Sequence, residues 1–431
     1  MFRLPALVAL CCLFFTSCGL QSDCEHINYT PCENGFSESY PCNNVHLYAV
    51  VTPDELLGEK LNDIWGWTDP ETGSEYALVG LTDGVSIVDI TTPSEPIVIG
   101  KLNEPEHLQK NKNLILPHHE DGGFKGASAW RDLKVYRNHL FVVSEQVGHG
   151  MQVFDLTQLR DINREEAPIF FEEDINYGLF GNAHNIEINE LTGYAYAVGV
   201  TTGEVCAEKG GLHIINIQSP LEPIFAGCYY DAEAGGITRQ GYIHDTQCVI
   251  YSGPDAAYQG REICFNSAES VFLITDVEEK LNASTISIES FEGSSYIHQG
   301  WLTEDHRYFF MNDEGDERQF NHQTRTYVWN VENLENPEMI GYYEHPTQAV
   351  DHNLYINNGI MYQANYTAGL RVLDVSNPLP DQVTEIGYFN TTPNNDEPVF
   401  SGLWSVYPWF SDQKIVVSDI NNGLFILNFE P

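Results

Sequence analysis

The sequence predicts an all-β protein: a single β-propeller of seven four-stranded blades, closed by an N-terminal strand that pairs into the C-terminal blade. Three observations carry this prediction. A short apolar run ending in Asp or Asn recurs seven times, the clearest repeat contains four strand-length segments, and the last repeat is one strand short while a spare strand precedes the first.

The recurring run is plainest in GVSIVDITTPSEPIVIG at 84–100, where one apolar strand ends in Asp89, a Thr- and Pro-rich turn follows, and a second apolar strand begins. Related runs place Asp155, Asn216, Asp276, Asn330, Asp374 and Asn428 at the same offset, 44 to 66 residues apart. That spacing lies at or above the period of about 40 to 50 usual for propeller repeats. These Asp and Asn residues are read as turn formers at strand ends, where an Asx side chain bonds the local backbone, and not as catalytic groups.

A whole unit spans 183–229. AHNIEI (183–188) and YAYAV (194–198) flank an LTG turn, a loop with Cys206 leads to GLHIINI (211–217), and a Pro-bounded turn leads to IFAGC (224–228). Alternation and brief apolar runs, without a helical period, mark four antiparallel strands. The last run stops at Asn428 and Phe429 with no fourth strand behind it, while the apolar stretch Val45–Val51 stands unused before the first unit. Pairing the two leaves no open sheet edge.

Composition narrows the function classes. The 431 residues are 42% hydrophobic and 12% aromatic, ample for a large core in one closed array. A formal charge of −42 leaves no basic face for a phosphate backbone, which argues against nucleic acid as a partner and against anionic membrane surfaces. The charge is read as a solvating surface suited to extracellular water, with collection of divalent cations as the other reading.

Arg3, the apolar run 4–15 and the small residues before Cys18 read as a lipoprotein-type signal peptide over 1–18, too short to span a bilayer as a stable helix. Cys18 is then the lipidated first residue of the mature chain, and an ordinary signal peptide cut nearby is the alternative. The expected address is the bacterial cell envelope or outer surface, or the extracellular medium, with the membrane met only through the lipid. Residues 19–44 are expected to form a Cys-containing tether or cap, and 45–431 the propeller. Beyond the signal, the cysteines form no paired C-x-x-C zinc knuckle, so disulfides are expected: Cys206 with Cys228, Cys248 with Cys264 and Cys32 with Cys42, leaving Cys24 over.

The 84–100 unit resembles the LVIVD repeat. Longer stretches, LNDIWGWTDPETGSEYALVGLTDG (61–84), WRDLKVYRNHLFVVSE (130–145), YIHDTQCVIYSGPDAAYQGREICFNS (242–267), HQGWLTEDHRYFFMNDE (298–314) and WSVYPWFSDQKIVVSDINNGLFIL (404–427), look like a choice-of-anchor B family protein. The resemblance covers nearly all of the mature chain. It implies an exported β-propeller attached to a cell surface, and it implies no catalytic activity.

In a propeller the first strand of each blade lines the channel, so residues just ahead of those strands gather at one mouth. Alignment of the units puts Asn62, Arg131, His184, His244, His298, His352 and Trp404 at one equivalent position, and Asp63, Asp132, Asn185, Asp245, Gln299, Asn353 and Ser405 at the next. Four imidazoles with nearby carboxylates can hold a transition metal, and Arg131 can clamp an anion by a bidentate contact. Against this stands a structural account, in which the same groups satisfy one another in a tight channel. Trp65, Trp67, Trp130, Trp301, Trp404 and Trp409 lie beside the same strand starts, where rings stack on a sugar or fill the wedge between blades. The acidic run 312–317 offers oxygens suited to calcium but lacks EF-hand spacing, and a solvated loop is its expected state.

There is no phosphate loop, no G-x-S-x-G elbow and no H-E-x-x-H in the chain. The reading is a monomeric, surface-anchored propeller that binds an extracellular or envelope protein, a glycan or a small ligand through one face. The alternative is a metal-dependent hydrolase or lyase built on the four histidines, with zinc or calcium as the cation.

Overall fold

The computed structural model describes residues 29–110, 128–206, 210–393 and 395–431; the signal-peptide segment with Cys18, and Cys24 behind it, lie outside the described residues. The described residues form seven sheets, each built on an antiparallel four-strand frame, and Ile169–Phe171 adds to the first in parallel. Their innermost strands are Leu61–Thr68, Arg131–Tyr136, Asn185–Asn189, Asp245–Ile250, Ile297–Leu302, Leu354–Asn357 and Leu403–Tyr407. Each touches the innermost strand of the next blade, and the seventh touches the first, so the array is a closed ring around a channel.

Closure is made as the ends of the sequence predict. Val45–Val51 pairs antiparallel with Gly423–Phe429 and serves as the outer strand of the seventh blade. Its register shifts between Leu47 and Ala49, matching the bulge between third and fourth strands in five other blades. A bulge raises local twist, and repeating it at one place gives the blades a common shape. Ahead of this strand, Phe36–Ser37 and Tyr40–Asn43 form a hairpin that extends the sixth blade through Thr384–Phe389. The N-terminal segment therefore ties two adjacent blades together.

Six of the seven Asx residues do the work expected of them; the exception is Asn428, whose amide donates to the Asp412 carbonyl. The Oδ1 atoms of Asp89, Asp155, Asn216, Asp276, Asn330 and Asp374 each accept from the backbone N–H two residues on, at 2.9 to 3.0 Å. This side-chain bond makes the turn into the fourth strand without asking the backbone for a partner. The fourth strand then passes close under its neighbour: a Cβ at Gly227 would sit 1.9 Å from the Lys280 carbonyl oxygen, so only glycine fits there.

The core lies between blades and not along the axis. Seven buried apolar clusters each join one pair of neighbouring blades, for example Leu78, Val85 and Ile87 of the first with Leu133, Leu140 and Val142 of the second. Disulfides join Cys32 to Cys42, Cys206 to Cys228 and Cys248 to Cys264, the three expected pairs. The last of these lies directly across paired strands of the fourth blade.

Ring closure can be tested at Leu47, which is 3% exposed and packs in the cluster between the sixth and seventh blades. Leu47→Ala is expected to lower unfolding free energy by about 2 to 5 kcal/mol, the usual cost of emptying a core leucine site. Removal of 29–51 is expected to expose Gly423–Phe429 as an open edge and cause aggregation. Urea denaturation and light scattering check both; wild-type behaviour in either would contradict the closure.

Candidate functional site

Each of the four histidines stands at or just before the start of an innermost strand, so four successive blades deliver them to one place. Ring centroids are 4.1 Å apart for His184 and His244, 4.4 Å for His244 and His298, and 4.2 Å for His298 and His352. Three rings are held by their Nδ1 atoms: His184 against Glu145 Oε1 at 2.6 Å, His244 against the His298 carbonyl at 2.9 Å, and His352 against the Trp404 carbonyl at 2.6 Å. Donation from Nδ1 leaves the Nε2 lone pair of a neutral ring available. Two carboxylates flank the row. Glu145 closes one end, and Glu314 lies 3.8 Å from His298 Nε2 and 3.6 Å from His352 Nε2 while accepting from the Tyr366 hydroxyl at 2.6 Å.

Electrostatics divide the row. Burial works against a charge on His184, but the Glu145 carboxylate outweighs it and raises the pKa above the ordinary histidine value. Burial and the neighbouring rings hold His244 and His298 well below that value, and burial takes His352 down to about 3. Burial also pushes Glu314 up to about 7. At neutral pH three adjacent imidazoles are therefore uncharged.

One step deeper, the next position of each strand forms a polar ring. Asp132 Oδ2 accepts from the Ile186 N–H at 2.7 Å, Asn185 donates to Asp245 at 3.1 Å, Gln299 donates to the Leu354 carbonyl at 3.0 Å, and Asn353 donates to Ser405 at 3.2 Å. Lys134 supplies the ring's cation, with Nζ 2.7 Å from Asp132 and 3.7 Å from Asp63. Burial raises Asp63 well above the carboxylate range and takes Asp245 to about 7, whereas Lys134 outweighs burial at Asp132 and holds it low. The void beside this ring is about 10 Å³, room for a single water.

Aromatic rings stop the channel below. Trp65, Trp301, Tyr355, Tyr407 and Trp409 pack edge to face or tilted at 5.0 to 6.1 Å, and the Lys134 ammonium lies 4.4 Å from the Trp65 ring centre. Trp67 stacks on Tyr76 in the wall between blades. At the opposite, histidine end, Trp130 is 44% exposed, Phe400 is 49% exposed, and the Trp404 ring lies 4.8 Å from His352. The six tryptophans singled out in the sequence thus serve three places: mouth, wall and plug.

The sequence alignment brings His184, His244, His298, His352 and Trp404 to the mouth and Asp63, Asp132 and Asp245 to the ring beneath. Arg131 lines the mouth by position, but its guanidinium turns into the wall. Its Nε donates to the Leu81 carbonyl at 3.0 Å, Nη1 to His149 Nε2 at 2.8 Å, and Nη2 lies 3.5 Å from Glu104. Burial and the Arg131 charge take His149 down to about 3, which keeps it an acceptor for that bond.

The acidic run 312–317 departs from its expected solvated state. Asp313 and Asp316 are 0% exposed and Glu317 is 2% exposed. Asp313 is drawn inward because it accepts from the backbone N–H groups of Ser295, Tyr296 and Gly315, and Asp316 because it accepts from Tyr327. Glu314 is the member of the run that reaches the histidines. Neither Glu145 nor Glu314 is visible in an alignment of strand starts, since both follow the second strand of a blade; Lys134 had a signal, the period of two that puts it below Asp132 on the same face.

Glu145→Gln tests the division of charge. A histidine whose folded pKa exceeds its unfolded value adds stability that is complete below about 6.5 and fades as pH rises through the folded pKa. The variant is therefore expected to melt below wild type at pH 5.5 to 6, with the gap closing by pH 8.5. Thermal melts across that range, with NMR titration of His184, check it; an equal deficit at both ends would remove the ion pair as its cause.

No family model matches the chain, and no curated protein matches it. Solved structures do. It is similar to the β-propeller domain of Swd1 (Cps50) from Myceliophteria thermophila at 11% identity, TM-score 0.51, covering 87% of this chain and 98% of that one. It is also similar to a Lactobacillus plantarum protein at 13% identity, TM-score 0.51, covering 84% and 89%, and to Kuenenia stuttgartiensis hydrazine synthase at 10% identity, TM-score 0.51, covering 81% and 91%. At such identities the likeness establishes the fold alone: the chain is a seven-bladed β-propeller.

Proposed function

We propose that the protein is an exported, surface-anchored propeller of the choice-of-anchor B type that binds an extracellular or envelope protein, a glycan or a small ligand at its histidine mouth. It acts as a binding module. The observation that carries this reading is the asymmetry of the channel. The deep end is stopped by five aromatic residues, whereas the mouth sets Trp130, Trp404 and Phe400 around a row of imidazoles. Aromatic rings beside convergent polar groups are the usual make-up of a recognition surface. Three disulfides are compatible with an oxidising, extracellular address. The alternative, a metal-dependent hydrolase or lyase, uses the same mouth and requires a cation there before any chemistry.

Two measurements test this reading. Tryptophan fluorescence of the mature protein is expected to titrate with a member of an oligosaccharide and peptide panel, and Trp130→Ala with Trp404→Ala is expected to abolish the response while Leu191→Ala, at the far end, leaves it. Binding that survives loss of both tryptophans would place the ligand elsewhere. For the anchor, Cys18→Ala is expected to shift the protein from membrane to soluble fractions; an unchanged membrane share would remove the lipid assignment.

A further inference from the structure

Within the mouth, one group of side chains stands apart in its geometry. One nitrogen of His298, one of His352 and one carboxylate oxygen of Glu314 all lie within 4.8 Å of one another. The two Nε2-to-carboxylate separations are 3.8 and 3.6 Å. Two donors each ~2.1 Å from a tetrahedral ion sit about 3.4 Å apart, so the two nitrogen-to-carboxylate gaps need to close by a few tenths of an ångström and the widest pair by up to about 1.4 Å to share one cation.

Their surroundings favour that use. The Trp404 carbonyl takes the Nδ1 proton of His352, which leaves its Nε2 lone pair toward Glu314. The Tyr366 hydroxyl donates to Glu314 Oε1, and Tyr366 is 2% exposed. A histidine steadied through its second nitrogen and a carboxylate steadied by a hydroxyl are the supports that metal ligands commonly carry. His298 is itself 2% exposed, its Nδ1 makes no well-formed hydrogen bond among the described residues, and the Asn312 side chain stands beside the ring.

We infer that His298, Glu314 and His352 form a binding site for a borderline divalent cation of the zinc type. The inference rests on the reading of the mouth as the ligand-binding end and names what it holds. Two imidazoles with one carboxylate suit zinc or a neighbouring first-row ion and not calcium, which takes an all-oxygen shell. Three protein donors leave a coordination position for water or for an oxygen of the extracellular ligand, so the cation links the propeller to what it binds. Glu314 and the two histidines come from adjacent blades, the fifth and sixth, so the site spans one blade boundary.

The test loads chelator-stripped mature protein with Zn²⁺ alone and measures bound metal by elemental analysis and calorimetry. One zinc per chain is expected in wild type and in Leu191→Ala. Affinity is expected to fall at least about 100-fold in Glu314→Gln and His352→Gln, and by about 10- to 100-fold in Tyr366→Phe, which removes only a supporting bond. X-ray absorption of the wild-type zinc form is expected to show two imidazole nitrogens and needs no variant to fold. A wild type without stoichiometric zinc overturns the inference, as do zinc retained at full affinity in both ligand variants and an absorption spectrum lacking imidazole. The fluorescence titration run with and without added zinc separates the two readings: a response without zinc keeps the binding reading and overturns the linking role of the cation, and no response in either condition removes the binding reading alone.

Discussion

The hydrogen bonds between Val45–Val51 and Gly423–Phe429 are the contact on which the remaining structure depends. They join the first strand of the propeller to its last and make a ring out of what is otherwise a row of sheets. Each of the seven apolar clusters needs a blade on both sides, and the cluster between the seventh blade and the first exists only because the ring shuts. Closure also fixes the bore of the channel, and with it the spacing of side chains contributed from positions far apart in sequence.

That bore explains why the channel is polar and yet quiet. Seven inner strands point their inward side chains at one another in a space too narrow for bulk water, so each polar group must find its partner across a blade boundary. Asp132 reaches the Ile186 N–H, Asn185 reaches Asp245, and Gln299 makes a two-way bond with the Leu354 backbone. Lys134 balances Asp132, while burial raises Asp63 and Glu187 well above the ordinary carboxylate range. Near the mouth this mutual satisfaction gives out. His298 Nδ1 makes no well-formed hydrogen bond among the described residues, and the Glu314 carboxylate stands between two imidazoles. The cation site proposed above is placed at these groups.

What the sequence revealed follows from periodicity. The seven Asx runs gave the blade count, the missing last strand gave the closure, and the shared offset of four histidines gave their meeting point. Elements outside the repeat were less visible. Glu145 and Glu314 sit in loops between second and third strands, where length and composition vary from blade to blade, so no alignment of strand starts reaches them. The Arg131 guanidinium was hidden for another reason: its position follows the repeat, but its direction is set by Glu104 and His149, which no other blade supplies. The acidic run at 312–317 read as solvated because charge patterns carry no information about the backbone N–H groups of Ser295 and Tyr296 that pull Asp313 inside.

The antiparallel register of the closing strand also fixes an orientation. Innermost strands run away from the mouth, third strands run the same way, and Val45 pairs with Phe429 at the far end of its sheet. Tyr29 stacks on His46 and bonds Glu430, so both described termini emerge on the side opposite the histidines. The anchor proposed above, were it attached through the N-terminal segment, would act as a stalk beneath an upturned cup, with the imidazole row facing outward and the aromatic plug facing the surface below.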